Sequence, residues 1–86
     1  MGTVAITFRV LPEGTETDLD ALKENVRSAL GPAFRSLEEI PVAFGLKAIM
    51  TVALIDDEAG GSERLEQDLS NLPGVGSVET VDVTLV

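Results

Sequence analysis

The side chains in this sequence that could perform chemistry are almost all carboxylates. Its 86 residues hold 15 Asp and Glu against six Lys and Arg, with neither cysteine nor histidine. That removes disulfide frameworks, thiolate nucleophiles, imidazole bases and the usual zinc or haem ligands together. Glu38 and Glu39 are adjacent on a segment that reads as extended, and successive strand residues point to opposite faces. They cannot share a substrate as general acid and base. Asp56, Asp57 and Glu58 form a second acidic group. A calcium loop alternates its ligands and closes on a bidentate glutamate after a long spacer, a pattern absent here, so a solvated turn is the reading. A cation- or metabolite-sensing domain built on that turn is the alternative. There is no GxxxxGK[ST] or GxGxxG phosphate cradle, and the Gly60-Gly61 pair is too weak to count as one. The residues point to recognition, not catalysis, with no cofactor and no metal.

The formal charge is −9, which repels nucleic-acid backbones and anionic bilayers. Direct binding to nucleic acid or to a membrane is therefore not expected. The acids are dispersed along the chain, and only Lys23 and Lys47 are lysines. Such a surface stays hydrated in strong salt, where screening relieves its self-repulsion, so a halophilic source is expected. Met1 to Val10 lacks a basic leader and interleaves Thr3, Thr7 and Arg9 with apolar residues. It reads as neither signal peptide nor membrane span, which predicts a soluble, cytoplasmic protein.

These residues must be positioned by short elements. Residues 3–11 alternate, with Val4, Ile6, Phe8 and Val10 on one face, and predict a half-buried strand. Thr17 is the expected N-cap of a helix over 18–30, with Asp20 three residues later. Leu19, Leu22, Val26, Ala29 and Leu30 supply its apolar stripe, and Gly31-Pro32 ends it. Residues 34–40 suit either a helix or a strand, although Pro41 holds Ile40 extended. Residues 46–56 alternate but are apolar on both faces, as in a central strand. Ser62 is the expected cap of a second helix carrying Leu65, Leu69 and Leu72. In residues 75–86, Val81, Val83 and Leu85 share a face while Val78 is out of phase, and a bulge near Glu79 and Thr80 would restore the register.

Strand, helix, strand, strand, helix, strand, in one domain of 86 residues, packs most economically as two layers. The expectation is α+β, a ferredoxin-like βαββαβ sandwich with antiparallel sheet order 4-1-3-2. Both helices cover one face, and the other is left to solvent or a partner.

Three stretches, IPVAFGLKAI (40–49), DDEAGGSERLEQDL (56–69) and LPGVGSVETVDV (72–83), resemble the archaeal elongation factor 1-beta family. The resemblance implies a guanine nucleotide exchange factor: a non-catalytic partner that binds the GTPase elongation factor 1-alpha, disturbs its magnesium and phosphate site, and holds no nucleotide itself. It implies that Phe44 is the inserted aromatic, Gly45 the glycine that lets backbones pass, Leu46 the aliphatic that follows, and Lys47 the basic residue beyond. A ferredoxin-like sensing domain, or a structural interaction domain without exchange activity, is the alternative.

The chain departs from eukaryotic members in two places. Their second basic residue is here Ala48, and their penultimate lysine is here Leu85, followed by Val86. Leu85 and Val86 are then expected to act by packing. In the expected topology Phe44 and Val86 lie at opposite ends of the sheet, about 20 to 30 Å apart by strand rise, which predicts a two-point clamp on the GTPase.

Overall fold

The computed structural model of the chain describes residues 2–56 and 61–86, with Phe44, Gly61 and Ser62 described through their backbone. The order is β1 (Thr3–Pro12), α1 (Leu19–Leu30), β2 (Phe34–Pro41), β3 (Lys47–Asp56), α2 (Gly61–Ser70) and β4 (Val75–Leu85). Three-residue 3-10 turns at Gly31–Ala33 and Ala43–Gly45 lead into β2 and β3. The sheet runs β2-β3-β1-β4 with every adjacent pair antiparallel. This is the expected βαββαβ two-layer sandwich, the order 4-1-3-2 read from its other edge.

The core lies between the helices and one face of the sheet. Ile6, Phe8 and Val10 of β1, Ile49 and Ala53 of β3, Leu22, Val26 and Leu30 of α1, and Leu69 of α2 form one buried cluster. The alternation of β1 thus falls as expected. In β3, apolar on both faces, cross-strand pairing decides the sides: Ile49, Thr51 and Ala53 stand opposite Val10, Phe8 and Ile6 and face the helices. Burying an aliphatic or aromatic side chain contributes roughly 1.5 to 3 kcal/mol, so these residues dominate the stability.

Two bulges bring residues at odd spacing onto one face. In β2, Phe34 stands opposite Ala53 and Ser36 opposite Val52, so Arg35 is the extra residue. This puts Phe34 and Leu37 on the same face despite a spacing of three, the spacing that made the segment look helical. The Thr51 hydroxyl donates to the Ser36 carbonyl at 2.9 Å, which satisfies a buried hydroxyl beside the irregular ladder. In β4, Thr7 pairs with Asp82 and Phe8 with Thr80. The bulge residue is therefore Val81, just beyond the expected Glu79 and Thr80. Val83 and Leu85 share their face with Val78, as the restored register requires, but Val81 does not join them.

The helix caps differ from expectation. Asp18, not Thr17, caps α1: its backbone is extended and its carboxylate accepts from the Ala21 N–H at 3.2 Å. The Thr17 hydroxyl instead accepts from the Gly14 N–H at 3.3 Å and closes the preceding turn. Gly31 ends α1 as expected, at φ 54°, its N–H donating to the Arg27 carbonyl. The second helix begins at Gly61, so Ser62 lies within its first turn and not at the cap.

Candidate functional site

Because β1 and β2 run parallel to each other, both deliver their C-terminal ends to the same tip of the sheet. After Pro41, the Val42 N–H donates to the Leu46 carbonyl at 2.9 Å and the Leu46 N–H to the Ala43 carbonyl at 3.2 Å, closing the turn. Phe44 is the middle residue of that turn, Gly45 sits at φ +78°, and exposed Lys47 opens β3. A Cβ on Gly45 would meet nothing within 4 Å. In the free chain this glycine therefore answers to backbone conformation, not to a close neighbour.

The loop from β1 to α1 closes against the same turn. The Thr17 N–H donates to the Gly14 carbonyl at 3.3 Å, and the Glu13 N–H to the Gly74 carbonyl at 2.9 Å. Pro12, Gly14, Thr15, Thr17 and Leu19 line a cleft of about 220 Å³ with Gly45 and Lys47. Sequence reasoning missed this loop as part of the tip, although the parallel course of the first two strands was the signal that could have found it. Gly76, in the second irregularity of β4, packs there too. A Cβ on it would lie 2.9 Å from the Pro12 carbonyl oxygen.

Leu85 and Val86 lie at the other end. Leu85 is paired with Val4, and the Val86 N–H donates to the Thr3 carbonyl at 2.8 Å. Thr3 is opposite Asp56, the last residue of β3. The nine steps from Lys47 to Asp56, at about 3.3 Å each, separate the two groups by about 30 Å. Phe44, Gly45, Leu46 and Lys47 are thus brought together, and Leu85 and Val86 are held apart from them. The far end exposes apolar side chains, Val83, Leu85 and Val86, the last at 74%.

Charges near the tip are ordered by one pair. Glu39, on the helix side of β2, forms an ion pair with Lys23 of α1, which also lies 3.8 Å from Asp20. The hydrogen bond from Lys23 holds the Glu39 carboxyl below its usual range, and the same bond raises the Lys23 ammonium. Glu38 is opposite Met50 and points to the open face of the sheet, so the two adjacent carboxylates diverge as expected. Of the acidic turn, Asp56 is exposed, while Asp57 and Glu58 lie outside the described residues. Among the described residues, no group of three His, Cys, Asp or Glu side chains is placed to hold a metal ion, and no helix is long and apolar enough to cross a membrane.

Comparison with known proteins accounts for nearly the whole chain. The family described as EF-1 guanine nucleotide exchange domain matches residues 5–86. The chain belongs to that exchange family. The elongation factor 1-beta of Methanococcoides burtonii is 44% identical over 85 residues, covering 96% of each chain. That of Methanosphaerula palustris is 39% identical over 85 residues, with 99% of each covered. That of Methanoculleus marisnigri is 40% identical over 86 residues, with both chains covered completely. Among solved structures, the C-terminal domain of the MgtC protein from Mycobacterium tuberculosis superposes with a TM-score of 0.61, covering 99% of this chain and 89% of that one, at 22% identity. That likeness is one of fold alone. As a member of the exchange family, the protein is a guanine nucleotide exchange factor, and the matched span includes both ends of the sheet.

Proposed function

We propose that the chain acts as one domain on the GTPase elongation factor 1-alpha, promoting release of GDP so that GTP can enter, and that it grips the GTPase at two separate points. The observation that carries this reading is the match of residues 5–86 to the exchange domain. An exchange factor works by linkage: it binds the nucleotide-free or distorted GTPase more tightly than the GDP form, and GDP binding is weakened by the same factor. No covalent chemistry is required, which suits a chain whose reactive groups are carboxylates.

In this reading Phe44, Gly45, Leu46 and Lys47 engage one region of the GTPase at the tip, while Leu85 and Val86 engage another by packing. The separation of about 30 Å, from strand rise, supports two contact regions over one compact pocket. Leu85 and Val86 carry no cationic charge, so they act on the GTPase through packing and not through an ammonium. The factor itself binds no nucleotide, nucleic acid or membrane, and works in the cytoplasm of a halophile, where its charge of −9 is screened.

The experiment is release of labelled GDP from elongation factor 1-alpha with and without this protein. Acceleration at sub-stoichiometric factor is expected; binding without acceleration would replace exchange by a purely structural role. For the halophilic reading, the denaturation midpoint should rise from low to molar salt, and a flat or falling midpoint counts against it.

A further inference from the structure

Cations are scarce in this chain, and three are engaged internally. Arg9 pairs with Glu79, Lys23 with Glu39 and Asp20, and Arg27 lies 5.2 Å above the Phe34 ring. Lys47 has no ion pair among the described residues, although Glu39 is a near neighbour across the ladder. Pro41 is opposite Lys47 and Glu39 opposite Ile49, so Glu39 sits diagonally across from Lys47 on the same face. The charge of Lys47 contributes to lowering the Glu39 pKa, but the hydrogen bond from Lys23 is the larger cause. Lys23 thus holds the carboxylate that stands nearest to Lys47 across the ladder.

The lysine kept free in this way lines the cleft with Pro12, Gly14, Thr15, Thr17 and Gly45. The Thr17 hydroxyl accepts from the Gly14 N–H, which leaves its own hydrogen to donate. A cation with two threonine hydroxyls around a small cleft suits an anion with paired oxygens. The neighbouring cleft narrows the choice of anion. It shares Gly14 and Thr17 and is lined by Glu13, Glu16 and Asp18. Their field opposes any anion in proportion to its charge, so a nucleic acid or a phosphate chain is disfavoured most, whereas the one charge of a carboxylate is matched by that of Lys47.

We infer that this cleft receives an aspartate or glutamate side chain of the GTPase, with Lys47 as its ion-pair partner, Thr15 and Thr17 as donors, and the Lys23–Glu39 pair as the device that keeps Lys47 available. The inference rests on the proposed exchange function and adds the chemistry of one contact to it.

The test titrates the full chain into GDP-loaded elongation factor 1-alpha and reads both the half-maximal concentration and the saturating release rate. Lys47→Gln should raise the half-maximal concentration about tenfold, the scale of one charge-assisted hydrogen bond. Lys23→Gln should raise it by a smaller factor, because Glu39 then turns to Lys47, and adding Glu39→Gln should restore the wild-type value. A purely structural role for the pair predicts the opposite, a double variant no better than the single one. An unchanged half-maximal concentration for Lys47→Gln beside an active wild type overturns the cleft and leaves the exchange function standing. A wild type that fails to accelerate release removes both. Inhibition by inorganic phosphate that Lys47→Gln abolishes would make this a phosphate site and overturn the carboxylate.

Discussion

The tip of the sheet at Ala43–Gly45 and the far end at Val83 to Val86 belong to one continuous ladder yet present opposite surfaces. At the tip every connection is closed by backbone hydrogen bonds, Val42 to Leu46, Leu46 to Ala43, Glu13 to Gly74 and Thr17 to Gly14. Lys47, Thr15 and Thr17 line its cleft beside Pro12 and Leu19. At the far end Val83 and Leu85 stand opposite Ile6 and Val4, on the side the helices cover elsewhere, but they are 59% and 71% exposed. The difference follows from position in the sheet. β4 is an edge strand with a neighbour on one side only, so Val83 stays exposed although Ile6 opposite it is buried. A braced polar tip suits a contact defined by geometry and charge, whereas an apolar edge suits one defined by buried area.

The largest effect should come from the tip. Phe44→Ala is expected to slow stimulated GDP release by roughly thirtyfold or more, the scale of an interface anchor, while the melting temperature hardly moves. A large fall in melting temperature with little change in exchange would assign Phe44 to the core and take the tip out of the interface. At the other end, deleting Leu85 and Val86 should reduce stimulated release by about tenfold, equivalent to about 1.4 kcal/mol, as for an apolar contact that is only partly buried. It also removes the hydrogen bond from Val86 to Thr3, so a small drop in stability accompanies it. Leu85→Lys should confer no gain. Full activity after the deletion would leave a one-point contact in place of the clamp.

What the sequence disclosed depended on whether local pattern or pairing decides an element. The alternation of Val4, Ile6, Phe8 and Val10 and the stripe of Leu22, Val26 and Leu30 are local, and both faces were legible. The element order then implied the topology, and with it the separation of Phe44 from Val86. The Arg35 bulge was not legible, because a spacing of three between Phe34 and Leu37 is also a helical spacing. The disruption at Val78 was visible in β4, but its placement at Val81 depends on the partner strand. The cap on Asp18 depends on Thr17 being engaged by Gly14, a contact of the turn and not of the helix. The residues of the candidate site were identified by family resemblance; their grouping at the tip came from topology, and the cleft around Lys47 only from the folded loops.

Two glycines at the tip sharpen the comparison on the stability side. Gly45 needs its left-handed backbone but has open space around it, whereas Gly76 has the Pro12 carbonyl oxygen where a Cβ would go. Gly45→Ala should therefore cost about 1 kcal/mol of backbone strain, a drop of about 4 to 8 °C in melting temperature for a domain of this size. Gly76→Ala should lower it further, because the β1 and β4 backbones must separate. Thermal melts of the two variants rank the effects, and the reverse order would contradict this packing at the tip.

The smallest expected effect concerns the Lys23–Glu39 pair and its pH dependence. Glu39 has a pKa lowered from 4.5 in the folded chain, chiefly by the hydrogen bond from Lys23. A carboxyl with a depressed folded pKa stabilises the fold above its unfolded pKa, and the contribution disappears as pH falls through the folded value. Lys23 is raised from 10.5, chiefly by the same bond, so its contribution is present below that pH and is lost as alkali titrates it. The window of full effect is therefore about pH 5 to 10, bounded by one partner on each side. Both side chains are about a third exposed, at 29% and 31%, so screening keeps the effect small. Melting temperatures of wild type and Glu39→Gln should differ slightly at pH 7 and converge in acid once Glu39 is protonated in the folded chain, with molar salt narrowing the gap at pH 7. A difference that persists unchanged into acid would mean that Glu39 acts through packing, and that the charge arrangement at the tip does not depend on its ionisation.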